Sequence, residues 1–241
     1  MISKKTRFSL AVLAATVFST STFAEGVYVT VLAGKSYQAT DSEAYGNNIA
    51  VDADFPNDFD SGDGEVGTIG LGYVVNESFR IEGRLGYRES DFNSTRFGSG
   101  ARNGEEYALV GKLESTTLTV EGFYDIDTGT GLSPYIKGGL GIARNKYSAK
   151  LGGQGVQGFF DSLDGTVDGF YDDYPDKTET EFTWNVGLGA SYSLNESFTV
   201  VGEYQYVSLG DAQTYQDSFT DGFQIDRATA HEVALGLRYR F

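Results

Sequence analysis

Cysteine is absent from the 241-residue chain, so no disulfide, thiolate zinc site or cysteine nucleophile belongs to it. That absence does not exclude an oxidising compartment. Proline occurs three times and histidine once, as His231, which leaves acid-base dyads and histidine-rich metal sites a single candidate. Beyond the first two dozen residues no apolar run approaches the roughly 20 residues that a membrane-crossing helix needs. Basic residues are few, 18 Lys and Arg against 34 Asp and Glu. The resulting formal charge of −16 repels polyanions and argues against nucleic acid as a partner.

Glycine, at 32 residues, and aromatic side chains, at 14%, are plentiful, a mix that suits many short strands better than helices. The first residues read as an export signal: Lys4, Lys5 and Arg7, then the apolar run Phe8 to Phe18, then Thr22-Phe23-Ala24 as a small-residue cleavage site. Residues 1–24 are therefore expected to be removed, leaving 25–241 as one domain. The lost segment carries three basic residues and no acidic one, which takes the formal charge from −16 to −19.

Alternation then places strands. In residues 79–88, Phe79, Ile81, Gly83, Leu85 and Tyr87 share one face, and Arg80, Glu82, Arg84, Gly86 and Arg88 the other. The same rule predicts strands at Val27 to Ala33, Val66 to Val74, Leu118 to Tyr124, Tyr135 to Arg144, Phe182 to Tyr192, Phe198 to Val207 and through the last ten residues, eight in all. A soluble sandwich or a lipocalin-like barrel also alternates, with the apolar row inside. In a membrane barrel the apolar row faces lipid, and because only every second residue does so, a mean hydropathy of −0.28 is no argument against it.

The joins alternate in length. Val75-Asn76-Glu77-Ser78, Asp125 to Ser133 and Ser193 to Ser197 are short, while 34–65, 89–113, 145–181 and 208–228 read as long polar loops. Asn-Glu-Ser occurs in two of the short joins, at 76–78 and 195–197. Short turns at one end and long loops at the other is the arrangement of outer-membrane barrels, with the short turns periplasmic.

The chain closes on Val233, Leu235, Leu237, Tyr239 and Phe241, apolar at every second position. This ending resembles the C-terminal signature of bacterial outer-membrane β-barrels. Residues 25–241 as a whole resemble the small eight-stranded family typified by the OmpA transmembrane domain and the opacity-type surface antigens. The resemblance implies an all-β, antiparallel, up-and-down transmembrane barrel in the outer membrane of a Gram-negative bacterium, surrounded by outer-membrane lipid and lipopolysaccharide. It implies that the barrel assembly machinery reads the terminal strand, and that the long loops serve membrane integrity, adhesion or an external surface ligand. The chain is expected to be a monomer without a cofactor, and without the periplasmic domain that would tether it to peptidoglycan.

Parity assigns Arg80, Glu82, Arg84, Arg88, Glu121, Lys137, Glu203, Glu232, Arg238 and Arg240 to the interior. Six cations against four anions imply internal ion pairs, and an eight-stranded interior is narrow enough for side chains to fill. The expected function is non-enzymatic; the alternative is a narrow channel for small solutes. A lipid A-modifying barrel enzyme would have to use His231, whose parity points to lipid near the outer rim.

The first long loop carries Asp54, Asp58, Asp60 and Asp63, which read either as a loop cation site for calcium or as a solvated acidic surface. The third mixes Asp161, Asp164, Asp168, Asp172, Asp173 and Asp176 with Phe159, Phe160, Phe170, Tyr171 and Tyr174, a recognition surface or a cover for the barrel mouth. Arg96 and Arg102 in the second suit lipopolysaccharide phosphates. Gly62-Asp63-Gly64-Glu65-Val66-Gly67 fits a dinucleotide pattern, but no helix is expected after it.

Overall fold

A computed structural model describes residues 26–45, 54–56, 58–153, 172–216 and 222–241. The expected export signal and the stretch 154–171, with most of the third loop's acids and aromatics, lie outside the described residues. Among the described residues there are ten strands: β1 Val27–Gln38, β2 Ser42–Tyr45, β3 Asp58–Phe59, β4 Asp63–Val74, β5 Phe79–Phe97, β6 Glu106–Asp125, β7 Leu132–Gly152, β8 Asp172–Ser193, β9 Phe198–Gln213 and β10 Gly222–Arg240. Eight of them form an antiparallel ring in the order β1-β4-β5-β6-β7-β8-β9-β10, closed by pairing of β10 with β1. Closure leaves no open sheet edge in lipid, where an unpaired backbone group is costly.

The two Asn-Glu-Ser joins fold as the same turn. The Asn76 carboxamide oxygen accepts from the amides of Ser78 and Phe79 at 2.9 and 3.0 Å, and that of Asn195 accepts from Ser197 and Phe198 at 3.0 and 2.8 Å. An asparagine oxygen in this position mimics a backbone turn and ends one strand while starting the next.

At the other end the structure corrects the sequence reading. Much of what reads as long polar loop is strand: β5 runs to Phe97 and β6 begins at Glu106. β7 has 21 residues, which reach roughly 70 Å when extended, whereas a tilted strand crosses the hydrocarbon in about 9–11 residues. The upper halves therefore stand in water, and their faces exchange character. On β5 the outward row passes from the half-exposed Phe79, Ile81 and Leu85 to Glu89 and Asp91, while the inward row passes from Arg80, Glu82, Arg84 and Arg88 to the buried Phe92.

Above the membrane the barrel thus has the interior of a soluble protein. Phe59, Phe92, Leu109, Leu113, Tyr147, Leu209, Phe223 and Ile225 belong to one buried apolar cluster there. β2 and β3 cap it, with Glu43 opposite Gln224 of β10 and Ser42 opposite Phe59. Aromatic pairs mark the two membrane boundaries: Phe79 with Tyr124 and Phe198 with Tyr239, each at 5.0 Å, near the short turns, and Trp184 with Tyr206 at 5.6 Å at the upper level.

Candidate functional site

Within the membrane the inward side chains stack in three levels. In the middle, Arg84 donates to Glu82 at 2.8 Å and to Glu203 at 2.6 Å, and Lys137 lies 2.9 Å from Glu121 and 2.7 Å from Glu203. The remaining acceptors are filled by neutral donors: Thr30 to Glu82, Asn185 to Glu121 and Tyr135 to Glu203, at 3.1, 3.0 and 3.0 Å. Such saturation is what a buried ionic cluster needs, because an unpaired charge in a low dielectric is costly. Glycine makes the room: a Cβ on Gly70 would lie 2.1 Å from a Glu82 carboxylate oxygen.

The upper level is Arg88, forked onto Glu232 at 2.5 and 3.1 Å and bonded to the Thr117 hydroxyl. The lower level is Arg80, forked onto Asp125 at 2.5 and 3.0 Å and stacked 4.3 Å from the Phe123 ring centroid. Of the ten charges assigned inward by parity, eight are buried; Arg238 is partly buried. Arg240 is a correction: it is exposed, because the last residue of the strand stands at the rim, where water replaces the enclosing wall. Asp125 is the member that sequence reasoning missed. It reads as the start of a turn, yet its parity continues that of Glu121 and Phe123.

The remaining candidates lie apart from this column. Val233, Leu235 and Leu237 are exposed on the outer face of β10 and Phe241 is exposed just past its end, and Tyr239 packs between Phe198 and Phe241. His231 is exposed and directed outward, its Nδ1 2.7 Å from the Tyr204 hydroxyl. The four loop aspartates are not gathered into one site. Asp54 accepts from the Ala101 amide at 2.9 Å and Asp60 from Arg96 at 3.0 Å, and among the described residues no three acidic or histidine side chains converge as a metal cluster.

Burial, with Asp60 and Asp58 facing it, holds the Asp41 carboxyl above its usual value. Arg102 bonds Glu105 and the Tyr107 hydroxyl at 3.2 and 2.9 Å, and burial together with Glu105 raises that phenol to about 12. The glycine motif 62–67 enters β4 and precedes no helix.

A closed eight-stranded ring with an apolar outer belt, aromatic boundaries and an ion-paired interior defines a transmembrane β-barrel. The profile of the family described as "Outer membrane protein beta-barrel domain" matches residues 10–241, and the chain belongs to that family and to the outer membrane. It is 24% identical over 241 residues to outer membrane protein PagN of Salmonella typhimurium, covering 92% of this chain and 93% of that one. A shorter match, 32% over 63 residues and 25% of the relative, links it to the 31 kDa outer-membrane immunogenic protein of Brucella melitensis. Among solved structures, Neisserial surface protein A superposes with a TM-score of 0.52 at 18% identity, covering 91% of this chain and all of that one. A major outer membrane protein of Thermus thermophilus gives 0.51 at 13%, covering 90% of this chain and all of that one.

Proposed function

We propose that the protein is a non-enzymatic outer-membrane scaffold, sealed to solutes, that presents the top of its barrel as a rigid surface for interaction with the environment or for adhesion. The observation that supports this reading is the presence of two fillings in series. Inside the membrane the bore is occupied by the Arg84, Lys137, Glu82, Glu121 and Glu203 cluster, and above it by the apolar cluster around Phe92, Tyr147, Leu209 and Phe223. An apolar plug rejects hydrated ions, and the cluster below it leaves few free acceptors for water. A strand wall carried far above the lipid serves presentation, which a short pore would not need. The Brucella relative is named as immunogenic, which fits display of that protein at a surface.

The competing reading is a narrow channel. Purified protein reconstituted in planar bilayers separates the two. The scaffold reading expects no sustained conductance steps at neutral pH; reproducible ion-selective steps that scale with protein added would replace it with the channel.

A further inference from the structure

At the short-turn end, below the Arg80–Asp125 pair, a vestibule of about 540 Å³ is lined by Arg238, Arg240, Arg80 and Asp125, among others. Both oxygens of Asp125 are engaged by Arg80. Arg238 has no carboxylate partner among the described residues: its guanidinium lies 5.1 Å from the Tyr28 ring centroid, and its Nε is buried without an acceptor. Each of the other enclosed cations, Arg80, Arg84, Arg88 and Lys137, reaches a carboxylate. The lower level therefore carries two guanidinium groups for one carboxylate, while the middle level carries three carboxylates for two cations.

The surplus charge faces the vestibule rather than the bore. Arg240, two residues further along the same face of β10, adds at the rim a second cation without a carboxylate partner among the described residues. Glu77 and Glu196 also line the space, exposed on the two Asn-Glu-Ser turns, and neither pairs with an arginine among the described residues. The lining is polar and formally neutral, Arg80, Arg238 and Arg240 against Asp125, Glu77 and Glu196, so the attraction for an anion is local to the floor, where Arg238 lacks a carboxylate.

We propose that this vestibule binds a small oxyanion, a carboxylate or phosphate group, on the terminal nitrogens of Arg238, with Arg240 adding attraction at the mouth. The planar fork of a guanidinium matches two oxygens of such a group, and stacking on Tyr28 holds the fork in place. The ligand is either a free anion or the carboxylate end of a periplasmic peptide. This site is on the opposite face from the proposed presenting surface and does not depend on that reading.

The test is a titration followed by the arginine Nε–H signals in lipid nanodiscs, with sodium phosphate in one arm and acetyl-dialanine in the other. Sodium chloride at matched ionic strength and the amidated peptide serve as controls. A saturable shift of the Arg238 signal is expected in at least one arm and in neither control. Saturation by phosphate assigns a free anion, and saturation by the free-acid peptide assigns a chain terminus. In Arg238→Gln the affinity, followed on the Arg80 signal, should fall roughly 10- to 100-fold, the loss of a charge-assisted pair, while heat-modifiable gel migration reports that the barrel still folds. If that variant does not fold, Arg238→Lys, which keeps the charge and loses the fork, takes its place and should bind more weakly. No saturation beyond the chloride control, or unchanged affinity in the folded variant, overturns the proposal.

Discussion

Lys137 shows how much one enclosed charge carries. Its side chain is fully buried, within ion-pair distance of both Glu121 and Glu203, so Lys137→Met would leave three carboxylates around Arg84 alone. Breaking a buried pair from one side costs about 3–5 kcal/mol. Lys35 and Glu65 form a pair of similar length, 3.1 Å, with both side chains more than half exposed, and such pairs contribute roughly 0–1 kcal/mol. Denaturant unfolding of Lys137→Met and Lys35→Met in lipid vesicles should separate the two variants by that margin. Equal losses would mean that the central cluster is solvated and the bore open. Parity alone located this cluster, since a charge on every second residue of a membrane strand has nowhere else to go. It failed at Arg240, where the wall ends, and at Asp125, where turn-like composition masked a strand residue.

At the scale of a strand, the informative event is the exchange of faces. Parity of apolar residues located all eight ring strands as far as they face lipid, and lost them where the outer face meets water. On β5 burial goes on alternating above the membrane. Residues 89–97 hold only Phe92 and Phe97 as apolar side chains, one buried and one exposed on opposite faces, so no apolar row marked the upper half in the sequence. β9 and β10 were less legible still. Their pairing shifts register between Ile225 and Ala228, opposite Gly210, which has φ +76°. The buried set then moves from Phe223 and Ile225 to Ala228 and Ala230, as an inserted residue requires. Arg227 takes φ +51° there, a conformation that asparagine or glycine adopts more readily and that composition did not announce. The boundary is testable on β5. Leu85→Arg, in the lipid belt, should cost roughly 2–4 kcal/mol, and Asn93→Arg, exposed above it, should stay within about 0.5 kcal/mol. Refolding equilibria into vesicles measure both, and a similar cost at the two sites would place Asn93 in lipid.

The whole molecule is two barrels on one set of strands. The lower has lipid outside and charge inside; the upper has water outside and hydrocarbon inside. Each is held by different physics, the lower by the closed backbone ladder and its ion pairs, the upper by ordinary burial of apolar surface. Phe223 tests whether they are energetically separable. It is fully buried, with ring centroids 5.9 Å from Phe59 of the cap and 5.2 Å from Tyr174 of β8, so Phe223→Ala opens a cavity worth about 3–5 kcal/mol. Because the rings around it all lie above the ion-paired levels, the loss should fall on the upper barrel. Hydrogen exchange should rise in β2, β3 and the start of β10, and limited proteolysis should cut there, while the lipid-facing strands stay protected and heat-modifiable migration is retained. Loss of protection throughout the ring would instead make the barrel one cooperative unit, in which the extracellular core also holds the membrane part closed.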